Sequence, residues 1–447
     1  MENMLRLVTG RIGCGKTARI YEEIRKITEQ GGEVTLVVPE QYSFHTEKKM
    51  LEMLGARGAD RVNVVSFSFL AKNLLKKYGL NSEKSLDDST RAMLMSVALD
   101  EAGDDLQVYS RHRYSPAVIL QMLKTLKDFR QCSVTSDKIE ETLTKLKPSL
   151  LKDKLGEILL IDRTYTALVE QNYFDDDCAL DILCDVLDEH RDFDGAEVFV
   201  DGFRGFTAQE YAVLERIMRQ SAETWVTLCV DKADDEFGVF AHTFRTKRKL
   251  IRCAQKSGTD IAKPELLTRD GSIDPELNAL EKGLYSGGAE IYGEKTKKIT
   301  LCSAEDFESE CEFVACTIKR LIRTENIRCR DIAVISRSEN NYSRQIRSAL
   351  IKNGVPVFED KRQPITSEPL IEFVRSAIEI GTSGFSTDAL MRLAKTGLTD
   401  LTIEEIAKIE NYALMWQING KKWLDEWTAH PNGLGEKMLE KLSLIHI

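Results

Sequence analysis

An α/β fold in two tandem units, the first interrupted by a helical insertion and the second cut short, is predicted by three observations. A strand-like run, a glycine-rich turn and a helix-like run follow one another at the N-terminus. A long stretch of helical spacing separates them from the next strong strand, and a second alternation of strands and helices begins near Lys298.

The first strand is Met4-Leu5-Arg6-Leu7-Val8-Thr9, and Gly10 to Lys16 follow as the turn. From Thr17, the residues Ile20, Ile24 and Ile27 recur at helical spacing, and Gly31-Gly32 closes the helix. Gly10, Gly15, Lys16 and Thr17 satisfy GxxxxGK[ST] in the strand–loop–helix order that this motif requires. Glycines let the backbone turn its N–H groups toward phosphate oxygens, where the helix N-terminus adds positive potential. Lys16 is placed to reach the β- and γ-phosphates, and the Thr17 hydroxyl to hold Mg²⁺. The candidate cofactor site is therefore Gly10, Arg11, Ile12, Gly13, Cys14, Gly15, Lys16 and Thr17.

The second magnesium-side carboxylate is expected at Asp201, which ends the apolar strand Ala196 to Val200, far along the chain from Thr17. Between them, from about Gly79 to Arg191, apolar stripes such as Ile119, Leu123 and Leu126, and Leu155, Ile158, Tyr165 and Leu168, read as packed helices. Asp175-Asp176-Asp177 reads as first-turn charge on a helix rather than a metal cluster. Asp231-Lys232-Ala233-Asp234 resembles the guanine-reading NKxD but fails at its first residue, and no DxxG precedes it.

In the second unit, Ile299 to Cys302, Asp331 to Arg337 and Pro356 to Phe358 read as strands, with helices at about 307–321 and 342–353 between them. Arg337 falls at a strand's C-terminal end, where open α/β sheets bind ligands; from there it would complete the phosphate site and stabilise charge on the transferring phosphoryl group. Catalytic candidates are Lys16, Asp201 and Arg337, and metal candidates are Thr17 and Asp201.

A chain of 447 residues exceeds what one core serves, so two or three domains are expected. Ordinary polarity and the lack of a long apolar run point to a cytoplasmic protein with no membrane partner. Ten scattered cysteines read as reduced core thiols. A net charge of −10 argues against nucleic-acid binding by bulk positive charge, while leaving room for a local basic surface.

The blocks "LVTGRIGCGKT", "VTLVVPEQYSFHTEKKML", "VNVVSFSFLAKNLL", "VFVDGFRGFTAQE" and "DIAVISRSENNYSRQIRSALIKNGVPV" together resemble the AddB-type subunit of the bacterial ATP-dependent helicase/deoxyribonuclease, a relative of UvrD-like superfamily 1 helicases. The resemblance implies tandem RecA-like domains: 1–75 with 195–290 as the first, 76–194 as a helical insertion, and 296–447 as an incomplete second. It places Walker A on Gly10, Gly15, Lys16 and Thr17, Walker B on Asp201, and the motif IV arginine on Arg337. Pro39-Glu40-Gln41 and Ser66-Phe67-Ser68 fall on DNA-facing elements.

The same resemblance implies ATP and Mg²⁺, an AddA-type partner in a heterodimer, and double-stranded DNA ends and single-stranded DNA as substrates, scanned for a Chi-type sequence. An iron–sulfur cluster and a nuclease domain are expected only in a C-terminal part that this chain does not carry, and the tail "KLSLIHI" resembles adapter-derived sequence. Two departures bear on hydrolysis. Gly202 stands where such motors carry a water-orienting glutamate, with Gln209 and Glu210 as possible substitutes, and only nine residues precede Gly10, leaving little room for an adenine-reading glutamine. A free-standing P-loop small-molecule kinase or regulatory ATPase is the alternative.

Overall fold

A computed structural model describes residues 3–80, 86–170, 173–231, 238–268, 274–284, 291–358 and 365–430; the "KLSLIHI" tail and Lys232 to Asp234 lie outside them. The chain divides into two compact units, Met1–Thr300 and Leu301–Ile447.

The first unit is built on a seven-stranded sheet in which every pairing is parallel. It opens with β1 (Met4–Thr9), α1 (Lys16–Glu29), β2 (Val34–Val37), α2 (Ser43–Ala59, broken at Gly55), β3 (Val62–Val65) and α3 (Phe67–Lys77). Four helices follow: α4 (Asp88–Glu101), α5 (Pro116–Gln131), α6 (Ser136–Lys145) and α7 (Leu150–Glu170). The chain then returns through α8 (Ala179–Glu189), β4 (Glu197–Val200), α9 (Ala208–Gln220), β5 (Glu223–Leu228), α10 (Ala241–Ser257), β6 (Asp260–Ile261), β7 (Glu265–Leu266) and α11 (Pro275–Gly283). Strand order is β3-β2-β4-β5-β1-β6, with β7 also pairing β1.

Parallel strands covered on both faces need apolar residues in both directions, and the sequence supplies them. One face carries Val8, Leu36, Phe199 and Trp225 under α1, with Phe199 and Trp225 stacked at 5.9 Å; the other carries Leu7, Val37, Val200 and Val226 under α3, α8, α9 and α10. At the strand starts of the α1 face, Glu197 and Glu223 sit together beside Arg6, which bonds Glu223 at 2.7 Å; Glu197 leaves one buried oxygen without a hydrogen-bond partner. Helices α4, α5 and α7 close a separate core of Met95, Leu99, Met122, Leu126, Ile161 and Tyr165; of the stripes read from spacing, Leu126 and Tyr165 are buried in this core, while Ile119, Leu123, Ile158 and Leu168 pack against it partly buried. α8, by contrast, packs Leu183, Cys184 and Leu187 onto the sheet core.

Asp175 is buried between Arg91 (2.9 Å) and Arg130, and Asp177 meets Lys127 at 3.1 Å, so side-chain cations occupy this acidic run; among the described residues no group of three or more potential ligands is arranged for a metal. The first unit ends in a clamp. Glu276, at the start of α11, accepts N–H bonds from Lys297 (2.9 Å), Lys298 (3.1 Å) and Ile299 (2.8 Å), while Asp274 pairs with Lys298.

The second unit contains α12 (Phe307–Thr324), α13 (Glu339–Lys352), α14 (Pro369–Ser383), α15 (Thr387–Ala394) and α16 (Ile403–Met415). Helices α12 and α13 fall where spacing placed them and α14 to α16 were not foreseen, but among the described residues the segments expected as strands join no ladder. A strand exists only with a neighbour to share its N–H and C=O groups. Here Leu301, Ile335 and Phe358 are all at least 90% exposed, and an open groove of about 1030 Å³ lies beside α12 and α13.

Candidate functional site

The sheet's parallel direction brings the ends of β1, β2, β3, β4 and β5 to one edge, the position at which α/β sheets bind ligands. Gly10 to Gly15 leave β1 there and α1 begins at Lys16. Gly10 takes φ 153°, and a Cβ on it would lie 2.5 Å from the Leu267 carbonyl oxygen, so no larger residue fits without moving backbone. Gly15 caps α1 in the left-handed region. Lys16 Nζ donates to the Gly10 (2.9 Å) and Arg11 (2.7 Å) carbonyl oxygens, which holds the ammonium inside the curl of the loop. Ile12, Gly13 and Thr17 are exposed, and Cys14 is half-buried.

Asp201 directly follows β4 and is buried; its backbone N–H donates to Val37 O at 3.0 Å and its carboxylate accepts the Thr227 hydroxyl. β5, which carries Thr227, separates β4 from β1. Tyr21 of α1 has its phenol pushed up by burial and, in part, by the Asp201 charge, so the first turns of α1 lie within electrostatic reach of that carboxylate. A hydroxyl at Thr17 and a carboxylate at Asp201 on one edge are hard oxygen donors suited to Mg²⁺. Thr227 escaped sequence reasoning, although a hydroxyl two positions beyond Trp225 on an apolar strand is a signal, since period two sets it on the face of Phe199 and Asp201.

Arg11 is pinned outside the loop by Asp231 (2.8 Å) and Glu281 (3.8 Å), with its guanidinium over Phe240. Asp231, weighed from sequence only as part of a guanine-reading motif, thus holds the glycine-rich loop. Arg337 belongs to the second unit, on the rim of its open groove.

Gly202 has φ 84°, and a Cβ there would touch the Pro39 ring at 3.4 Å. Both side chains suggested in its place, Gln209 and Glu210, are engaged in other bonds. Glu210 closes a capping box on α9 with Thr207, and Gln209 is buried, donating to Asp181 at 2.7 Å. Of the suggested DNA-facing residues, Pro39, Glu40 and Gln41 do lie at this edge, the last two exposed. Phe67 does not face outward: it is 3% exposed and packs edge-on against Phe203 and Phe206, while Ser66 caps α3. Exposed aromatic rings on the opening turns of α2 and α3 and just before them are instead Tyr42, Phe44 and Phe69.

The family model described as ADDB, N-terminal, matches residues 7–281. The chain belongs to the AddB family. A model of the UvrD-like helicase C-terminal domain matches residues 239–416 of this AddB-family chain. Similar proteins, named as B subunits of ATP-dependent helicase/deoxyribonuclease, occur in Caldanaerobacter subterraneus subsp. tengcongensis (32% identical, covering 95% of this chain and 37% of that protein) and in Clostridium novyi (31%, 99% and 39%). A third, from Clostridium acetobutylicum, is 30% identical over 99% of this chain and 40% of its own length. The AddB-family chain therefore spans about two fifths of the relatives it matches. None of these relatives supports a free-standing small-molecule kinase. Among the described residues no helix is long and apolar enough to cross a membrane.

Proposed function

We propose that this chain is the nucleotide-binding portion of a helicase–deoxyribonuclease subunit that works in the cytoplasm with an AddA-type partner on double-strand DNA ends, scanning the DNA for a Chi-type regulatory sequence. The observation that carries the reading is the phosphate loop on β1–α1 with the buried Asp201 at the same sheet edge, in a member of this family. Lys16, the loop N–H groups and the N-terminus of α1 bind the phosphates of ATP, while Thr17 and Asp201 hold Mg²⁺, which neutralises phosphate charge. Arg337 is the candidate for the arginine that stabilises charge on the transferring phosphoryl group. Exposed Tyr42, Phe44 and Phe69 give unpaired bases flat surfaces on which to stack.

Binding rather than turnover is the favoured role of the nucleotide. Gly202 offers no carboxylate, and both Gln209 and Glu210 are committed to holding α9 and α8. Mg²⁺-dependent ATP binding, measured by calorimetry, is expected to disappear in Lys16→Ala. Full-strength binding by that variant would defeat the proposal.

A further inference from the structure

The α10 helix buries Thr243, Phe244, Thr246, Leu250 and Ala254 against the sheet. Its exposed residues are His242, Arg245, Arg248, Lys249, Arg252, Gln255 and Lys256. At 3.6 residues per turn they share a single face about 20 Å long. The helix sequence AHTFRTKRKLIRCAQKS contains no aspartate or glutamate, so the i,i+4 pairing that usually neutralises a solvated helix face is missing along its whole length. In a chain of net charge −10, this is a local reversal of sign. Lys256 pairs with Glu215 at 3.0 Å and Lys249 rests over the Tyr211 ring, while Arg245 and Arg252 form no ion pair among the described residues.

The stripe begins at the nucleotide edge. Phe240, just before α10, lies under Arg11 of the phosphate loop; Thr246 donates to Arg204 O; and the His242 ring lies so close to Gly205 that a Cβ there would be 2.8 Å from its Nε2. Arg204, itself exposed, follows Gly202 by two residues, and its backbone is tied to α10 by the Thr246 bond.

We infer that the outer face of α10, led by Arg245 and Arg252, is a docking surface for the phosphate backbone of duplex DNA. The inference rests on the reading of this chain as a DNA-processing subunit and adds to it a specific surface. Duplex is favoured over single strand because this face exposes no aromatic ring; stacking on such rings is how unpaired bases are gripped, whereas duplex phosphates need only spaced cations.

The test is binding of the full chain, in complex with its AddA-type partner, to a blunt duplex of about 20 base pairs over a range of salt concentrations. Arg245→Glu with Arg252→Glu is expected to weaken duplex binding roughly tenfold or more near 0.1 M salt and to flatten the slope of log K against log salt by about 2, one unit per lost phosphate contact. Arg245→Lys with Arg252→Lys should stay close to wild type, since point charges suffice, and the melting temperature and ATP affinity of both variants should be unchanged. If the unmodified complex binds DNA and the reversed variant binds it equally, the α10 assignment falls while the proposed function stands. If the unmodified complex binds no DNA, both fall. Loss of single-strand binding alone, or of partner association alone, would assign the stripe to that other occupant and overturn the duplex reading.

Discussion

Thr227, near the end of β5, donates its hydroxyl hydrogen to the buried carboxylate of Asp201, directly after β4. The bond crosses between neighbouring strands, so the sheet itself fixes where the acid sits. Replacing Thr227 by Val keeps the shape and removes the donor. It should lower stability by about 1–3 kcal/mol in denaturant titration, because a buried carboxylate loses a hydrogen bond, and should weaken Mg²⁺–ATP binding. Thr227→Ser is expected to retain both properties.

Gly202 is held in the left-handed region, and the Pro39 ring lies in ordinary contact range of the missing Cβ, so backbone hand rather than space excludes other residues. Gly202→Ala and Gly202→Glu should each lose about 1–2 kcal/mol of stability, equal within error because the loss comes from φ and not from charge. ATP turnover by Gly202→Glu should not exceed wild type; a rise would mean that the acid reaches the attacking water after all.

Glu197 is pushed up to about 7 by burial and by the facing Glu223, with Arg6 acting in the opposite sense. A carboxyl raised on folding binds its proton more tightly in the native state than in the unfolded chain. Stability therefore falls as pH rises from about 4.5 to about 7 and levels off above that. Glu197→Gln should flatten this fall and stabilise the protein at pH 8 by about 1–2 kcal/mol, less than the full linkage value because the side chain is only half-buried. Thermal melts at pH 5 and pH 8 measure both effects.

In the helical insertion, Asp175 is 4% exposed and faces Arg91 and Arg130. Asp175→Ala leaves two guanidinium groups without their shared acid and should destabilise this region by about 3–5 kcal/mol in denaturant. Added Mg²⁺ or Mn²⁺ should alter neither the wild-type nor the variant melt, as expected where arginines, not a metal, neutralise the acid.

What could be read from the sequence followed from how local each signal is. The glycine-rich loop after β1, the strand before Asp201 and the helical stripes of α5 and α7 each declare themselves within a short window of sequence. Phe67 did not, because an aromatic residue just past a strand suits a core or a surface equally, and only Phe203 and Phe206, distant in sequence, make it core. Arg11, Asp231 and Glu281 meet across the unit, so no window contains their relationship. The second unit shows the converse: Asp331 to Arg337 has the composition of a strand, but composition cannot provide the neighbouring strand that a ladder requires.

Glu276 gathers the N–H groups of residues 297–299 onto one carboxylate. That stretch is thus sewn to α11 by more than the peptide chain. If a protease nicks the exposed segment around 293–296, the new N-terminal end at Lys297 remains held at three points, and the two pieces should travel together in gel filtration. Glu276→Ala releases the stitch, and the same nick should then let the pieces part.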